Sequence, residues 1–224
     1  MDNYQIKQHA RISLKGNWGL GVALYLLVFI LTIGLTFAVM VTLSGGIENF
    51  RAQEDPPLFV VFGAIIVSLA LIPLNISVYW FFLSLIRFEG PKISDVFAIF
   101  KDGNAYFKLI LVYIISQIFI MLWSFLFLIP GIIKSLSYSQ SYYLLKDHPE
   151  YTALEAITES KKRMKGYKGK YFLLNLSFIG WGILSMLTFG IGFIWLTPYI
   201  YASQATFYNE FIYIQDENID KETL

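Results

Sequence analysis

The charged residues of this chain are separated by uncharged stretches that are too long for the surface of a water-soluble protein. The stretches are 16–47, 56–86, 109–133, 135–145 and 171–209, and the last of these runs for 39 residues without Asp, Glu, Lys or Arg. A helix that crosses a membrane needs about 20 mostly apolar residues to span a hydrocarbon core of about 30 Å. The sequence therefore predicts an all-α, polytopic membrane protein built as a helical bundle.

Two of the apolar regions are too long for a single crossing and contain turn-forming residues near the middle. Residues 171–209 would extend about 58 Å as one helix, and the glycines within 188–192 allow a tight turn. Residues 109–145 carry only Lys134 as a charge and would extend about 55 Å. The Pro-Gly pair at 130–131 interrupts that helix. Six crossings are predicted, at 18–43, 57–86, 107–128, 131–146, 171–187 and 192–213.

The distribution of basic residues predicts the orientation of these crossings. With six crossings, both termini and the segments 87–106 and 147–170 share one side of the membrane. Together with Lys108 and Lys146 at the adjoining helix ends, that side then carries 15 of the 17 Lys and Arg residues. The other two are Arg51 and Lys134. Because Lys and Arg are enriched on the cytoplasmic side, both termini are predicted to be cytoplasmic, including the polar, acidic tail 215–224.

A short amphipathic helix is predicted before each pair of crossings. Ile93, Val96, Phe97 and Phe100 recur with helical spacing, a second such pattern follows Thr152, and residues 4–15 form a weaker one. Thr152 and Glu155 also have the spacing of an N-terminal capping box. One membrane domain, 1–214, thus divides into three repeated units, each an interfacial helix and a transmembrane hairpin. The units are 4–86, 93–146 and 152–213.

Crossings four and six carry the same pair of polar residues. Ser139-Gln140 lies on the fourth crossing and Ser203-Gln204 on the sixth. Such side chains hold membrane helices together by hydrogen bonds between helices. They could also line a polar path between the second and third hairpins. The sequence leaves both interpretations open.

Lys134 is the one charged residue well inside an apolar region. One interpretation is an outward-facing site for an anion or a substrate carboxylate. The other is that the long side chain extends to the outer headgroups, since Lys134 lies about one helical turn from Pro130. No acidic residue within a crossing is available to pair with it.

Basic residues are concentrated at the end of the third amphipathic helix. They are Lys161, Lys162, Arg163 and Lys165. A basic residue beside an anionic leaflet contributes about 1 kcal/mol to membrane association. We therefore expect this helix to contact anionic lipid headgroups on the cytoplasmic side, and the alternative is a cytoplasmic protein partner.

The sequence carries no signature of catalysis, cofactor binding or metal binding. It contains no G-x-S-x-G, H-E-x-x-H or P-loop motif, no cysteine, and only His9 and His148 as histidines. No Asp or Glu lies deep within a predicted crossing, since Glu210 is three residues from the end of the sixth, and this disfavours a proton- or sodium-coupled pump. The net charge of +1 disfavours nucleic-acid binding. Catalytic residues, cofactors and metal ligands are therefore predicted to be absent.

Several short motifs follow one another in a fixed order along the chain. They are Leu14-Lys-Gly-Asn-Trp18, Ile129-Pro-Gly-Ile-Ile-Lys134, Ala153-Leu-Glu-Ala156, Met164-Lys-Gly166, Leu176-Ser-Phe-Ile-Gly-Trp181, Thr188-Phe-Gly-Ile-Gly192 and Pro198-Tyr199. From about residue 14 to 210 this pattern resembles the bacterial integral membrane family called domain of unknown function 975, which is found mainly in Gram-positive bacteria. The resemblance implies a multi-pass protein of the bacterial cytoplasmic membrane and supplies no catalytic residue or ligand.

These observations lead to two expectations about function. The first is a non-enzymatic membrane protein that acts through lipid or protein contacts, in an envelope or complex accessory role. The alternative is a transporter or permease component for a small or amphiphilic molecule, with its polar path between the second and third hairpins. Membrane lipids are the predicted partners, whereas a protein partner or a homo-oligomer is not identified by the sequence.

Overall fold

The computed structural model describes residues 1–213 and consists of helices joined by short turns, with no β-strand in that range. The helices are α1 (Asn3–Leu14), α2 (Trp18–Leu43), α3 (Ile47–Ala52), α4 (Leu58–Ala70), α5 (Ile72–Ile86), α6 (Gly103–Leu126), α7 (Leu128–Tyr138), α8 (Ser141–Asp147), α9 (Ala153–Arg163), α10 (Lys168–Leu176), α11 (Ile179–Leu187) and α12 (Phe193–Tyr208). A 3₁₀ helix, Ile93–Phe100, precedes α6, and a π-helical turn, Asn209–Tyr213, extends α12. The predicted tail 215–224 lies outside the described residues.

Four helical segments of this part of the chain are long and apolar enough to cross a membrane. They are Trp18–Leu43, Leu58–Ile86, Gly103–Phe125 and Lys168–Leu187. The other two predicted crossings are also helical, but α7 and α8 are separated at Ser139-Gln140, and α12 has only 16 residues. The all-α fold, with four apolar helices of spanning length, is therefore confirmed, while six crossings in three hairpins stay a prediction.

The turn in the second hairpin lies three residues earlier than the sequence indicated. The chain is extended at Phe127 (φ −160°, ψ 148°), and Pro130 lies in the first turn of α7. Proline is tolerated there because the first backbone N–H groups of a helix have no acceptor within the helix. Gly131 has a different role from the predicted one, since a Cβ atom at this position would collide with Ser124 on α6. Gly192 approaches Ser185 in the same way in the third hairpin.

The three predicted amphipathic helices are present, and each packs on a hairpin. The 3₁₀ helix contacts α5, α9 contacts α6 to α8, and α1 contacts α12. The capping box of α9 is formed, with the Glu155 N–H donating to Thr152 Oγ1 and the Thr152 N–H donating to Glu155 Oε2. The second of these segments is a 3₁₀ helix, and its buried face differs from the α-helical face that the sequence predicted. Val96 and Ile99 are buried, whereas Phe100 is exposed. A repeat of 3.0 residues per turn places residues i and i+3 on one face.

The buried core lies towards the ends of the helices that carry Arg87 and Asp147. In α5, ten of fifteen residues are buried, whereas α2 buries only Gly21, Leu24 and Val28 of its 26 residues. The opposite ends consist of paired helices, such as α2 with α4 and α6 with α7. Large apolar side chains remain exposed on those pairs, as expected for a surface that faces lipid.

Candidate functional site

The polar residues at the break between α7 and α8 lie close to those of α10 and α12. Gln204 Nε2 donates to Asn175 Oδ1 on α10 at 2.9 Å. Gln140 Nε2 donates to Ser139 Oγ at 2.8 Å. Tyr171 of α10 is buried, and its hydroxyl faces Gln140, Ser139 and Asn175. We call these five side chains the polar chain; it lies where the second hairpin packs against the third.

The polar chain is largely packed into the protein. Gln140 is fully buried, and Gln204 is half-buried with its amide nitrogen bonded to Asn175. Ser203 is also fully buried, but its hydroxyl donates to the carbonyl of Tyr199 in its own helix. This arrangement is typical of helix-packing contacts. One acceptor, Gln140 Oε1, is buried without a hydrogen-bond partner.

The break between α7 and α8 is stabilised by a side chain from the amphipathic helix α9. Ser160 is fully buried, and its hydroxyl donates to the carbonyl of Ser137 at 2.8 Å. The same hydroxyl accepts a hydrogen bond from the backbone N–H of Gln140 at 3.2 Å. A break in a helix exposes backbone groups that need partners. Ser160 therefore supplies both a donor and an acceptor where the helix is interrupted.

Lys134 has an aromatic partner. Its Nζ lies 4.3 Å from the centre of the Trp123 ring on α6, in the geometry of a cation–π contact. The side chain is half-buried on α7. The contact accounts for a cation at this position without an acidic partner. The contact is compatible with the interpretation that the Lys134 side chain extends to the outer headgroups. The other interpretation, an anion site at Lys134, stays a prediction.

The basic residues at the end of α9 do not share one face. Lys161, Lys162 and Lys165 are exposed, whereas Arg163 is only 7% exposed. Arg163 Nε donates to Glu159 Oε1 at 2.9 Å. The grouping of Arg163 with the lysines is therefore corrected: residue 163 follows Ser160 by three positions, which places it on the buried face of the helix.

An ion-pair cluster at the ends of the three hairpins was missed by the sequence interpretation. Both guanidinium NH₂ groups of Arg87, after α5, donate to the two carboxylate oxygens of Asp147 on α8, at 2.7 and 2.8 Å. Arg87 Nε donates to Asn209 Oδ1 at 2.9 Å, and the Tyr208 hydroxyl donates to Asp147 Oδ2 at 2.8 Å. The guanidinium also lies 4.3 Å from the Tyr213 ring centre.

The ion-pair cluster ties together one end of every hairpin. The side chains of Arg87 and Asp147 are 17% and 9% exposed, so the pair is largely shielded from solvent. A bidentate pair with further hydrogen bonds to its oxygens is the arrangement in which a buried charge pair is well compensated. One feature of the sequence could have pointed to this pair. Arg87 and Asp147 each follow the C-terminal end of an uncharged run, so both are expected at a similar depth relative to the membrane.

Metal-ligating residues are not brought together by the fold. His148 stacks on Tyr151 and contacts Glu150, whereas His9 lies against Phe88. Within residues 1–213 no group of three or more His, Asp and Glu side chains has the proximity needed to hold a metal ion.

Comparison with protein families gives one match. The model of the family DUF975, described as a protein of unknown function, matches residues 1–134 and residues 126–213. The two matches overlap only in a short segment at the turn of the second hairpin and together extend over residues 1–213. No curated protein and no solved structure matches the chain. The family resemblance of the sequence motifs is therefore confirmed.

Proposed function

We propose that this chain, which belongs to the DUF975 family, is a non-enzymatic multi-pass protein of the bacterial cell membrane that acts through contacts with anionic lipid and with other membrane proteins. In this proposal it has an accessory role in the envelope or in a membrane complex. The observation that carries the proposal is a group of three exposed lysines, which we call the α9 lysines: Lys161 and Lys162 at the C-terminal end of α9 and Lys165 just after it. The opposite face of the helix is fixed in the bundle by Ser160, whose hydroxyl donates to the carbonyl of Ser137.

The proposal includes six crossings with both termini cytoplasmic. Residues 128–147 would extend about 30 Å as a helix, and residues 193–213 about 31 Å, so both segments have the length of a crossing in spite of the break in the first. The bias of basic residues supports the orientation. In this topology the α9 lysines and the ion-pair cluster both lie at the cytoplasmic surface.

The packing of the polar chain favours this proposal over transport. A transport path between the second and third hairpins would need Gln140 and Gln204 to border open space, but Gln140 is fully buried and Gln204 is bonded to Asn175. Hydrogen bonds of this kind contribute about 0.6 kcal/mol on average to helix association in membranes. The polar chain therefore supports a packing role.

The lipid contact can be tested by measuring which lipids stay with the protein. Wild type and the variant K161Q/K162Q/K165Q would be placed in bilayers of phosphatidylcholine and phosphatidylglycerol and excised with a styrene–maleic acid polymer. We expect wild type to retain more phosphatidylglycerol than the bulk bilayer contains and the variant to retain less than wild type, since each lysine contributes about 1 kcal/mol near an anionic surface.

The matched control is K161R/K162R/K165R, which keeps the charge and should keep the enrichment. Equal lipid composition around wild type and the Gln variant would contradict the proposal. Flux of a small amphiphile through proteoliposomes, lost in Gln204→Leu while the fold is kept, would favour the transporter alternative.

A further inference from the structure

A groove bordered by α1, α11 and α12 has a basic end and an apolar floor. Its volume is about 620 Å³, within the range of roughly 300–1,000 Å³ that is usual for small-molecule sites. Lys7 and Arg11 of α1 border one end, and Trp181, Leu184 and Trp195 form the floor. The groove is separate from the polar chain, the ion-pair cluster and the α9 lysines.

The two cations at the basic end are not neutralised by the protein. Lys7 Nζ donates to the carbonyl of Ser177 at 3.3 Å and lies 4.1 Å from the Phe178 ring centre, and the Arg11 guanidinium lies 5.8 Å from the Tyr199 ring centre. Within residues 1–213 neither side chain is paired with a carboxylate. Their i, i+4 spacing places like charges side by side on one helix face, which is unfavourable. Partial burial, together with the neighbouring Arg11, lowers the pKa of Lys7. A bound anion would relieve both effects.

The floor exposes large apolar side chains along the third hairpin. Trp181, Leu184 and Trp195 are 59%, 52% and 54% exposed. From Tyr199 to Gly192 the groove follows α12 for seven residues, or about 10 Å. Tryptophan is enriched where a protein meets the membrane interface. An acyl chain would cover this floor, whereas a small inorganic anion would leave it exposed.

We propose that this groove binds one anionic membrane lipid, with its phosphate at Lys7 and Arg11 and an acyl chain along Trp181, Leu184 and Trp195. The inference rests on the proposed function and deepens it, because it assigns the lipid a defined site apart from the α9 lysines. Charge complementarity selects an anionic headgroup, and the planar guanidinium of Arg11 can donate two parallel hydrogen bonds to phosphate.

The test uses photoactivatable lipids with the reactive group near the end of an acyl chain. Full-length protein in phosphatidylcholine nanodiscs would receive a trace of photoactivatable phosphatidylglycerol or photoactivatable phosphatidylcholine, and labelled peptides would be mapped by mass spectrometry. We expect peptides from 179–196 to be labelled preferentially by the glycerol lipid. Each basic contact is worth about fivefold in affinity, so two contacts give a preference of up to about 30-fold.

Three variants and one competitor decide between the outcomes. K7Q/R11Q should lose the preference at 179–196, and K7R should retain it. Leu184→Trp should also reduce labelling by filling the groove; Leu184 is half exposed, so this change leaves the buried core intact and covers the case in which K7Q/R11Q fails to fold. Unchanged preference in either groove variant would overturn the inference. Loss of labelling in excess inorganic phosphate would also overturn it, because the site would then recognise a free anion.

The failure of this inference is distinguishable from failure of the proposed function. K161Q/K162Q/K165Q should reduce the general enrichment of phosphatidylglycerol and leave the preference at 179–196 in place. If K7Q/R11Q keeps the preference while the α9 variant loses the enrichment, the groove site is wrong and the proposed function stands. If neither variant changes any lipid measurement, both are wrong.

Discussion

Ser160→Ala tests whether an amphipathic helix stabilises the break in the second hairpin. The Ser160 hydroxyl is the hydrogen-bond partner of the Gln140 N–H and of the Ser137 carbonyl. These groups lie where α7 ends and α8 begins, and Gln140 and Ser160 are both fully buried. Alanine removes the hydroxyl and leaves the rest of the side chain, so the perturbation is confined to the two hydrogen bonds.

The expected loss follows from the burial of the group left without a partner. A buried donor that loses its acceptor costs about 1–3 kcal/mol. The Ser137 carbonyl loses one hydrogen bond as well, whose net value is about 0.5–1.5 kcal/mol. We therefore expect Ser160→Ala to lower the free energy of unfolding by about 2–4 kcal/mol in total, on the same principle.

The assay is unfolding by SDS in mixed micelles, followed by circular dichroism. Hydrogen exchange should show faster exchange of the Gln140 amide in the variant. Ser203→Ala is the matched control, because Ser203 is also fully buried but bonds only to the carbonyl four residues earlier in its own helix. Such a bond adds little to stability. An equal loss in both variants, or an unchanged Gln140 amide, would refute the stabilising role of α9.

Three further predictions address the ion-pair cluster, hairpin packing and topology. Asp147→Asn should lower the free energy of unfolding by about 3 kcal/mol, because it leaves its arginine partner largely buried and uncompensated; SDS unfolding measures this. Gly131→Leu should lower the free energy of unfolding by at least about 1–3 kcal/mol in the same assay, because the new side chain would collide with α6. The control Gly180→Leu should lower it less, because position 180 faces open space. In the cysteine-free chain, a cysteine at Phe189 should react with an impermeant thiol reagent in intact cells, and one at Lys165 only after permeabilisation; the reverse pattern would contradict the topology.

The positions of the helices could be read from the sequence because membrane solvation imposes a length rule on every crossing. An uncharged run of about 20 residues has few alternatives to a helix in lipid. The capping box at Thr152 was equally accessible, since it depends on residues three positions apart. Both predictions depend on interactions that are local in sequence or on the solvent itself, and both agree with the structure.

The ion-pair cluster and the burial of Arg163 could not be read in this way, because they depend on packing between hairpins. Arg87 and Asp147 are 60 residues apart, and counting charges for orientation treats every basic residue as a surface residue. The break at Ser139-Gln140 has no proline or glycine to mark it. Its stability comes from Ser160, a residue of the following unit. Partners from different units can be identified only from the three-dimensional structure.

The contacts of the amphipathic helices follow the order of the three predicted units. The 3₁₀ helix of the second unit contacts the first hairpin, α9 of the third unit contacts the second hairpin, and α1 of the first unit contacts the third. This is the order expected of parallel repeats about an axis along the membrane normal.

The charges of the lining residues predict that the proposed anionic-lipid site has no counterpart beside the 3₁₀ helix. The cavity between the 3₁₀ helix and α5 is bordered by Asp95 and Asp102 together with Lys146, whereas the groove beside α1 has Lys7 and Arg11 without a carboxylate. The first cavity thus has a net negative lining and the groove a net positive one. Acidic side chains repel a phosphate headgroup, so the photolabelling experiment should show no preference for phosphatidylglycerol along the 3₁₀ helix. The preference for an anionic lipid would then depend on the basic residues of a single amphipathic helix, α1.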